Sequence, residues 1–137
     1  MALSLTNQAP NAEQFILLRS KVGWTNPEPD TVQVSLDNSL FHICVYIASR
    51  LVGYGRIVGD GAMYFYVQDI VIDPDHQNQG LGTLVMHEIE LFLAGSAKSG
   101  ATIALLAAYG KEKFYSKFGY SSRTGEPLGL GMCKFVE

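Results

Sequence analysis

The amino-acid sequence predicts a single α/β domain built on a mixed β-sheet, and two patterns indicate this fold class. Three strand-like runs with short connections follow one another between residues 40 and 72, as in an antiparallel meander. An amphipathic helix then leads to another apolar run, residues 102–107, which reads as a buried strand. Because a helix separates that run from the strand before it, the two strands should pair in parallel. A chain of 137 residues suits one domain, spanning residues 1–137, with one sizeable core.

The N-terminal forty residues predict a strand and two helices. Residues 3–6 suit a short first strand. Residues 11–14 form a capping-box pattern, which should open a helix that runs to about residue 22. After a proline-rich break, Asp30 should cap a second short helix that ends near Asp37.

The middle of the chain changes to the two-residue period of β-strands. Residues 40–50 and 51–58 predict two strands, and residues 59–61 form a glycine-rich turn before a third strand over residues 64–72. Near the end of the chain, Gly110 and Gly119 should bound a helix of about two turns. Residues 132–136 predict a short final strand.

Composition and charge exclude several classes of protein. The chain is 47% hydrophobic and 17% charged, with a net charge of −3 and no basic patch, which argues against nucleic acid as the main partner. No apolar run approaches the roughly 18 residues that span a bilayer, and the N-terminus lacks the regions of a signal peptide. Cys44 and Cys133 lie in apolar surroundings without further ligands at metal spacing, so we expect buried free thiols, no metal and a cytoplasmic location.

The stretch over residues 67–92 carries the clearest functional pattern. An apolar strand stops at Asp73-Pro74-Asp75, a loop with Gly80 and Gly82 follows, and a helix begins inside that loop. The first turn of a helix has N–H groups without intrahelical partners and the positive end of the helix dipole, so it binds anions. Glycines allow a phosphate to approach the backbone. The sequence therefore predicts a pyrophosphate site.

Two sequence motifs indicate which class of phosphate-containing ligand that site would bind. The third glycine of a Rossmann fingerprint is replaced by Val85, and no P-loop string occurs. The remaining pattern, Gln-x-x-Gly-x-Gly from Gln77 to Gly82, resembles the acetyl-CoA pyrophosphate loop of the GNAT N-acetyltransferases. Downstream, Phe114-Tyr115-x-x-Phe118-Gly119-Tyr120 resembles a recurring signature of the same family. The chain is therefore similar to GNAT proteins from about residue 40 onward.

The resemblance implies a fold, an activity and a set of site residues. The GNAT fold is a mixed, twisted sheet whose central strands splay around acetyl-CoA, and its enzymes move the acetyl group directly to a primary amine of a small molecule, peptide or protein. A monomer or homodimer is expected. Tyr115 falls on the tyrosine position that implies a general acid for the departing thiolate, and the amide of Ile70 would polarise the thioester carbonyl. The cofactor-binding positions implied by the family are Ile70, Val71, Ile72, Gln77, Asn78, Gln79, Gly80, Leu81, Gly82, Thr83, Ala107, Lys111 and Tyr115.

The general base and the acceptor site are less defined by the sequence. Some family members carry a glutamate where this chain has Tyr66. Asp69 is the carboxylate inside that strand, and it would act either as a base with an elevated pKa or as a structural acceptor. A water chain ending at Tyr66 or at backbone carbonyls would also suffice. We expect Trp24 either to pack in the core or, with Tyr66, to border the substrate cleft.

Two other functions are compatible with the same patterns. The first is a non-catalytic module that senses acetyl-CoA, which would bind the cofactor through residues 77–83 and tolerate the loss of the Tyr115 hydroxyl. The second is an unrelated nucleotide-binding domain, against which the missing glycine and lysine of the nucleotide motifs already count.

Overall fold

The computed structural model describes residues 2–137 and contains a five-stranded mixed sheet whose strands lie in the order of the chain. The strands are β1 (Ser4–Thr6), β2 (Phe41–Ile47), β3 (Arg50–Gly59), β4 (Tyr64–Ile72) and β5 (Thr102–Leu105). The helices are α1 (Ala12–Lys21), α2 (Pro29–Asp37), α3 (Leu81–Ser96) and α4 (Glu112–Ser116), and a 3₁₀ turn covers Pro74–His76. Strands β1 to β4 pair antiparallel and β5 pairs with β4 in parallel, which confirms the predicted sheet.

The chain divides into two compact units. One ends at Leu106 and contains the whole sheet with α1, α2 and α3, and the other runs Ala107–Glu137 and contains α4. No helix of residues 2–137 is both long and apolar enough to cross a membrane.

The helix α1 begins where the capping pattern predicted. The side-chain oxygen of Asn11 accepts a hydrogen bond of 2.8 Å from the amide of Gln14, which satisfies a free donor of the first turn. The buried residues of α1 and α2 pack on one face of the sheet in a cluster that also contains residues of β2, β3 and β4. This cluster comprises Phe15, Leu18, Val32, Leu36, Cys44, Leu51, Tyr54 and Val71.

The prediction that Asp30 caps α2 was wrong. The helix begins two residues earlier than that cap implies, at Pro29, and its N-cap is Glu28, whose side chain makes no capping hydrogen bond. Proline suits the first position of a helix because its fixed φ is helical and its missing N–H would have no partner there. Asp30 lies inside the first turn, where its negative charge interacts favourably with the helix dipole.

The helix α3 packs against the sheet with the predicted apolar face. Val85 and Ile89 are fully buried, and the ring of Phe92 stacks on Phe41 of β2 with centroids 4.6 Å apart. A Cβ at Gly55 would lie 2.7 Å from Val85 Cγ1 and 2.9 Å from Ile89 Cδ1. Glycine in β3 therefore allows the helix to approach the sheet closely.

Three predictions near the end of the chain were wrong. The strand β5 was predicted to be buried, but it alternates exposed and half-buried residues, because one of its faces is open to solvent and the other is only partly covered. The part of the chain after Ser116 contains no strand among the described residues, although residues 132–136 have a strand-like composition. A strand needs a partner that supplies hydrogen bonds, and Ala107–Glu137 contains no other strand. Cys44 is buried as predicted, but Cys133 is exposed.

Candidate active site

A β-bulge interrupts β4 at Asp69 and Ile70. On β3, Tyr54 pairs with Val71 and Arg56 pairs with Gln68. The single residue between these pairs on β3, Gly55, is therefore opposite two residues of β4. Asp69 has a φ of +58°, in the left-handed region that is sparsely populated by residues other than glycine. Such a conformation costs on the order of 1–3 kcal/mol and persists only where its surroundings stabilise it.

The surroundings that stabilise the bulge are two arginines. The Asp69 side chain is fully buried, and its carboxylate accepts a hydrogen bond of 2.9 Å from Arg56 Nε and another from Arg19 Nη1. Gln68 donates to the same carboxylate over 3.3 Å. Because both carboxylate oxygens are engaged by guanidinium groups, Asp69 is suited to stabilising the bulge and poorly suited to taking a proton from an amine. Of the two roles that the sequence left open, the geometry favours the structural one.

The edge of β4 that faces β5 is open from Gln68 onward, a segment that includes the bulge. The strand β5 pairs with β4 from Tyr64 opposite Thr102 to Val67 opposite Leu105, and within the unit that ends at Leu106 no strand continues this ladder. Residues 68–72 therefore leave backbone groups on that side of β4 without a strand partner, and Ile70, Val71 and Ile72 all lie in this segment. An extended ligand with amide groups could pair there as another strand does.

The N-terminus of α3 has the geometry of an anion site. Its N-cap, Gly80, has a φ of +83° and provides no side-chain cap, and a Cβ there would meet no atom within 4 Å. The first helical hydrogen bond runs from the Leu84 amide to the Gly80 carbonyl over 3.0 Å. The amides that precede Leu84 in this turn, those of Leu81, Gly82 and Thr83, have no partners within a helix that begins at Leu81.

The loop before α3 is exposed but attached to the end of β4. Gln77, Asn78 and Gln79 are exposed, and Asn78 has a φ of +63°. The Gln77 side chain donates a hydrogen bond of 3.1 Å to the Ile72 carbonyl oxygen, so this glutamine closes the end of the strand. The predicted pyrophosphate residues are thus contiguous with the open edge of β4.

Asp73 supports the turn between β4 and the loop, and sequence reasoning missed this role. The residue is 2% exposed, and its carboxylate accepts hydrogen bonds of 2.9 Å from the Asp75 amide and 2.8 Å from Lys21 Nζ. Burial acts to raise the pKa of this carboxyl, but the hydrogen bonds from Lys21 and the Asp75 amide outweigh it and lower the pKa. The Asp-Pro dipeptide signalled the turn, whereas nothing in the sequence indicated Lys21.

The predicted acceptor residues lie on two elements, the loop after α1 and the strand β4. Trp24 is half-buried and packs on the core cluster, and the Arg19 guanidinium lies 5.3 Å from the centroid of its ring. Tyr66 is half-buried on β4, three residues before Asp69. The structure therefore brings Trp24 and Asp69 together through Arg19, a residue for which the sequence carried no signal.

The other predicted site residues belong to the unit Ala107–Glu137. Tyr115 is buried in α4, where its ring contacts Phe114 with centroids 5.1 Å apart, and burial raises the pKa of its hydroxyl. A phenol is protonated at neutral pH even with its ordinary pKa near 10, and the raised pKa makes Tyr115 a weaker acid, so proton donation from it would depend on close positioning. Ala107 is half-buried, and Lys111 is exposed at the N-cap of α4.

Known proteins share both sequence and structure with this chain. A family model described as an acetyltransferase (GNAT) domain matches residues 39–122. Uncharacterised N-acetyltransferases named ycf52 from Pyropia yezoensis and Porphyra purpurea are 32% and 34% identical over 84% and 80% of the chain, which spans 67% and 64% of their length. A crystal structure of SA2161, a probable acetyltransferase of unknown function from Staphylococcus aureus, is 30% identical with a TM-score of 0.90, over 98% of this chain and 100% of that one.

Proposed function

The chain belongs to the GNAT acetyltransferase family, and we propose that it moves the acetyl group of acetyl-CoA to a primary amine of a small molecule, peptide or protein. One observation carries the proposal for the donor: the open edge of β4 at residues 68–72 leads directly into the uncapped N-terminus of α3. An extended arm with amide groups fits the first feature, and a pyrophosphate fits the second.

On the donor side of the reaction, the proposed roles of the chain are to bind acetyl-CoA and to polarise its thioester carbonyl. Acetyl-CoA supplies a thioester, whose carbonyl oxygen becomes more negative when an amine attacks it. The amide of Ile70, at the bulge, is the proposed donor to that oxygen. The amides of Gly82 and Thr83 at the start of α3 are the proposed donors to the pyrophosphate. The exposed Lys111 is the proposed partner of a further phosphate.

Proton transfer requires an acid and a route for the proton of the amine. We propose Tyr115 as the acid that protonates the departing thiolate, because it occupies the tyrosine position of the family motif. Burial raises the pKa of its hydroxyl, so the transfer depends on positioning the phenol against the thiolate. For the amine, we propose water close to Tyr66 and the backbone carbonyls of β4, since both oxygens of Asp69 are engaged by arginines.

We also propose a cytoplasmic location for the protein, as a monomer or homodimer. Both cysteines of the described residues, Cys44 and Cys133, are free thiols, and a reducing compartment preserves free thiols. The acceptor class is proposed only as a primary amine, because acceptor pockets of one fold differ in the loops that line them.

Calorimetric titration with acetyl-CoA, CoA and ATP tests the donor site. We expect micromolar binding of acetyl-CoA and CoA, no binding of ATP, and loss of CoA binding in Gly82→Trp, whose side chain blocks the anion site. Gly95→Trp is the matched control, because Gly95 lies at the far end of α3 with open space around it. Well-folded wild-type protein that binds no acetyl-CoA would contradict the proposal.

A screen of amines by CoA release then separates the enzyme from an acetyl-CoA sensor. An enzyme releases CoA with at least one amine, and Tyr115→Phe slows that release. A sensor binds acetyl-CoA with wild-type affinity in Tyr115→Phe and releases CoA with no amine in a panel of small amines, polyamines, aminoglycosides and peptides.

A further inference from the structure

Arg19 connects the loop after α1 to the bulge in β4. Its three guanidinium nitrogens have three different partners: Nε donates to Asn26 Oδ1 over 2.8 Å, Nη2 donates to the Thr25 carbonyl over 2.8 Å, and Nη1 donates to Asp69 Oδ1. The same guanidinium lies 5.3 Å from the ring of Trp24 and 5.6 Å from the ring of Phe15. One side chain therefore sets the position of residues 24–26 relative to residue 69.

Arg56 anchors the other oxygen of the same carboxylate. Its Nε donates to Asp69 Oδ2 over 2.9 Å, and its Nη1 donates to the Ser35 carbonyl, Ser35 Oγ and Ser39 Oγ over 3.1, 2.9 and 3.0 Å. The end of α2 is thus attached to Asp69 from the buried side. A planar guanidinium holds such partners in a fixed arrangement, which a flexible ammonium group cannot reproduce.

We infer that Arg19, Asp69 and Arg56 form an arginine clamp that positions the loop at residues 24–26 against the bulge at residues 69–70. What it positions rests on the proposed function: the bulge carries the amide proposed to polarise the thioester. The loop carries Trp24, which we place here at the border of the amine site, the second of the two roles that the sequence left open. One hydrogen-bonded network therefore sets the distance between the thioester at the bulge and the amine beside Trp24. Its members are positioning residues, because they act through the loop and the backbone.

A network that only stabilised the fold would not couple these two places. The coupling predicts that a change at Asp69 reaches Trp24 by way of Arg19, whose guanidinium contacts both residues. It also predicts the reverse, that a change at Arg19 reaches the backbone of the bulge. Asp60 provides a control on the same pair of strands, because its exposed carboxylate accepts hydrogen bonds from the amides of Ala62, Met63 and Tyr64 in the turn between β3 and β4.

Fluorescence measures the first direction of this coupling, since Trp24 is the single tryptophan of the chain. Acrylamide quenching is compared in wild type, Asp69→Asn, Arg19→Lys and Asp60→Asn. We expect the quenching constant to rise at least twofold in Asp69→Asn and Arg19→Lys, and to stay at the wild-type value in Asp60→Asn. Folded Asp69→Asn with wild-type quenching overturns the inference.

Hydrogen exchange measures the reverse direction and does not depend on Asp69→Asn folding. Arg19→Gln changes the outer, partly exposed member of the clamp. We expect amide exchange in residues 68–71 to accelerate at least tenfold in this variant, with no change in the same peptides of Asp60→Asn. Unchanged exchange across the bulge in Arg19→Gln also overturns the inference.

Kinetics then show whether the clamp serves the reaction. With an active amine, Arg19→Gln should lower kcat/KM for the amine at least tenfold while the Kd of acetyl-CoA stays within threefold of the wild-type value. Equal losses of kcat/KM in Arg19→Gln and Asp60→Asn would show that the clamp does not position the reacting groups. If wild type binds no acetyl-CoA, the proposed function fails, and fluorescence and exchange still decide whether the clamp exists.

Discussion

Gly55 of β3 lies directly against the side chain of Ile70 at the bulge: a Cβ at position 55 would come within 2.7 Å of Ile70 Cδ1. The same Cβ would meet the methyl groups of Val85 and Ile89 on α3. The sheet, the bulge and the helix that begins at the proposed anion site therefore meet at this position.

Gly55→Ala should destabilise the protein and slow the reaction. The added methyl group overpacks a filled site, which typically costs about 1–3 kcal/mol, and relief of the contact displaces Ile70. Urea unfolding and steady-state kinetics measure the two effects. Gly95→Ala is the control, because open space surrounds Gly95 and alanine favours a helix by roughly 1 kcal/mol. Wild-type stability and kcat in Gly55→Ala would contradict the packing described here.

Gly80→Ala should weaken acetyl-CoA binding as well as stability. At a φ of +83°, a residue with a Cβ costs about 1–2 kcal/mol, and the strain falls on the turn that presents the proposed donors to the pyrophosphate. Gly100→Ala carries similar strain, at a φ of +97°, in the loop after α3. Thermal unfolding should show similar losses in both variants, and calorimetry should show weaker acetyl-CoA binding only in Gly80→Ala. Equal acetyl-CoA affinities in the two variants would show that the loop at Gly80 is not part of the acetyl-CoA site.

Tyr115→Phe should lower kcat about 10²-fold or more with little change in stability, because the buried ring and its contact with Phe114 remain. Burial raises the pKa of the Tyr115 hydroxyl, so this group stays protonated through mildly alkaline pH. The wild-type rate should therefore show no loss between pH 7 and 9 from its deprotonation. Tyr109→Phe is the control, since Tyr109 is fully exposed. Stopped assays across this pH range test whether Tyr115 is the general acid. Equal rates in Tyr115→Phe and Tyr109→Phe would show that it is not.

His42 should make the stability of the protein depend on pH. Burial, and secondly the charge of Arg56, lower the pKa of its imidazole, whose Nδ1 lies 2.6 Å from the hydroxyl of Tyr54. The unfolded chain, with a histidine pKa near 6.5, then binds a proton more readily than the folded one. The contribution of His42 is therefore complete above about pH 6.5 and is lost as the pH falls.

Urea unfolding at pH 7.5 and pH 5.0 measures this effect. The decrease in the free energy of unfolding should be smaller in His42→Gln than in wild type. His87 is on the exposed face of α3, so the free energy of unfolding of His87→Gln should decrease as much as that of wild type. An identical decrease in His42→Gln would show that other groups account for the pH dependence.

The sequence predicted the features that depend on local patterns. The face of α3 follows from the spacing of Val85 and Ile89, and the antiparallel order of β2, β3 and β4 follows from short connections between alternating runs. The position of the loop with Gly80 before α3 could be predicted for the same reason, since strand, loop and helix are contiguous in the chain.

Features that depend on distant partners could not be predicted. The regular alternation of β4 conceals the bulge at Asp69, and the donors to its carboxylate come from positions 50 and 13 residues earlier, Arg19 and Arg56. The final strand failed for a related reason, because residues 132–136 have strand-like side chains but no partner strand within their own unit. Composition indicates that a segment can form a strand, whereas pairing decides whether it does.

The network around Asp69 also bears on the synthesis of the chain. The side-chain donors to its carboxylate, Arg19, Arg56 and Gln68, all precede it in the sequence. A chain leaving the ribosome therefore carries every partner of this carboxylate before α3 has been translated. We expect the meander and its bulge to assemble co-translationally, so that α3 emerges onto a sheet that is already shaped to receive it.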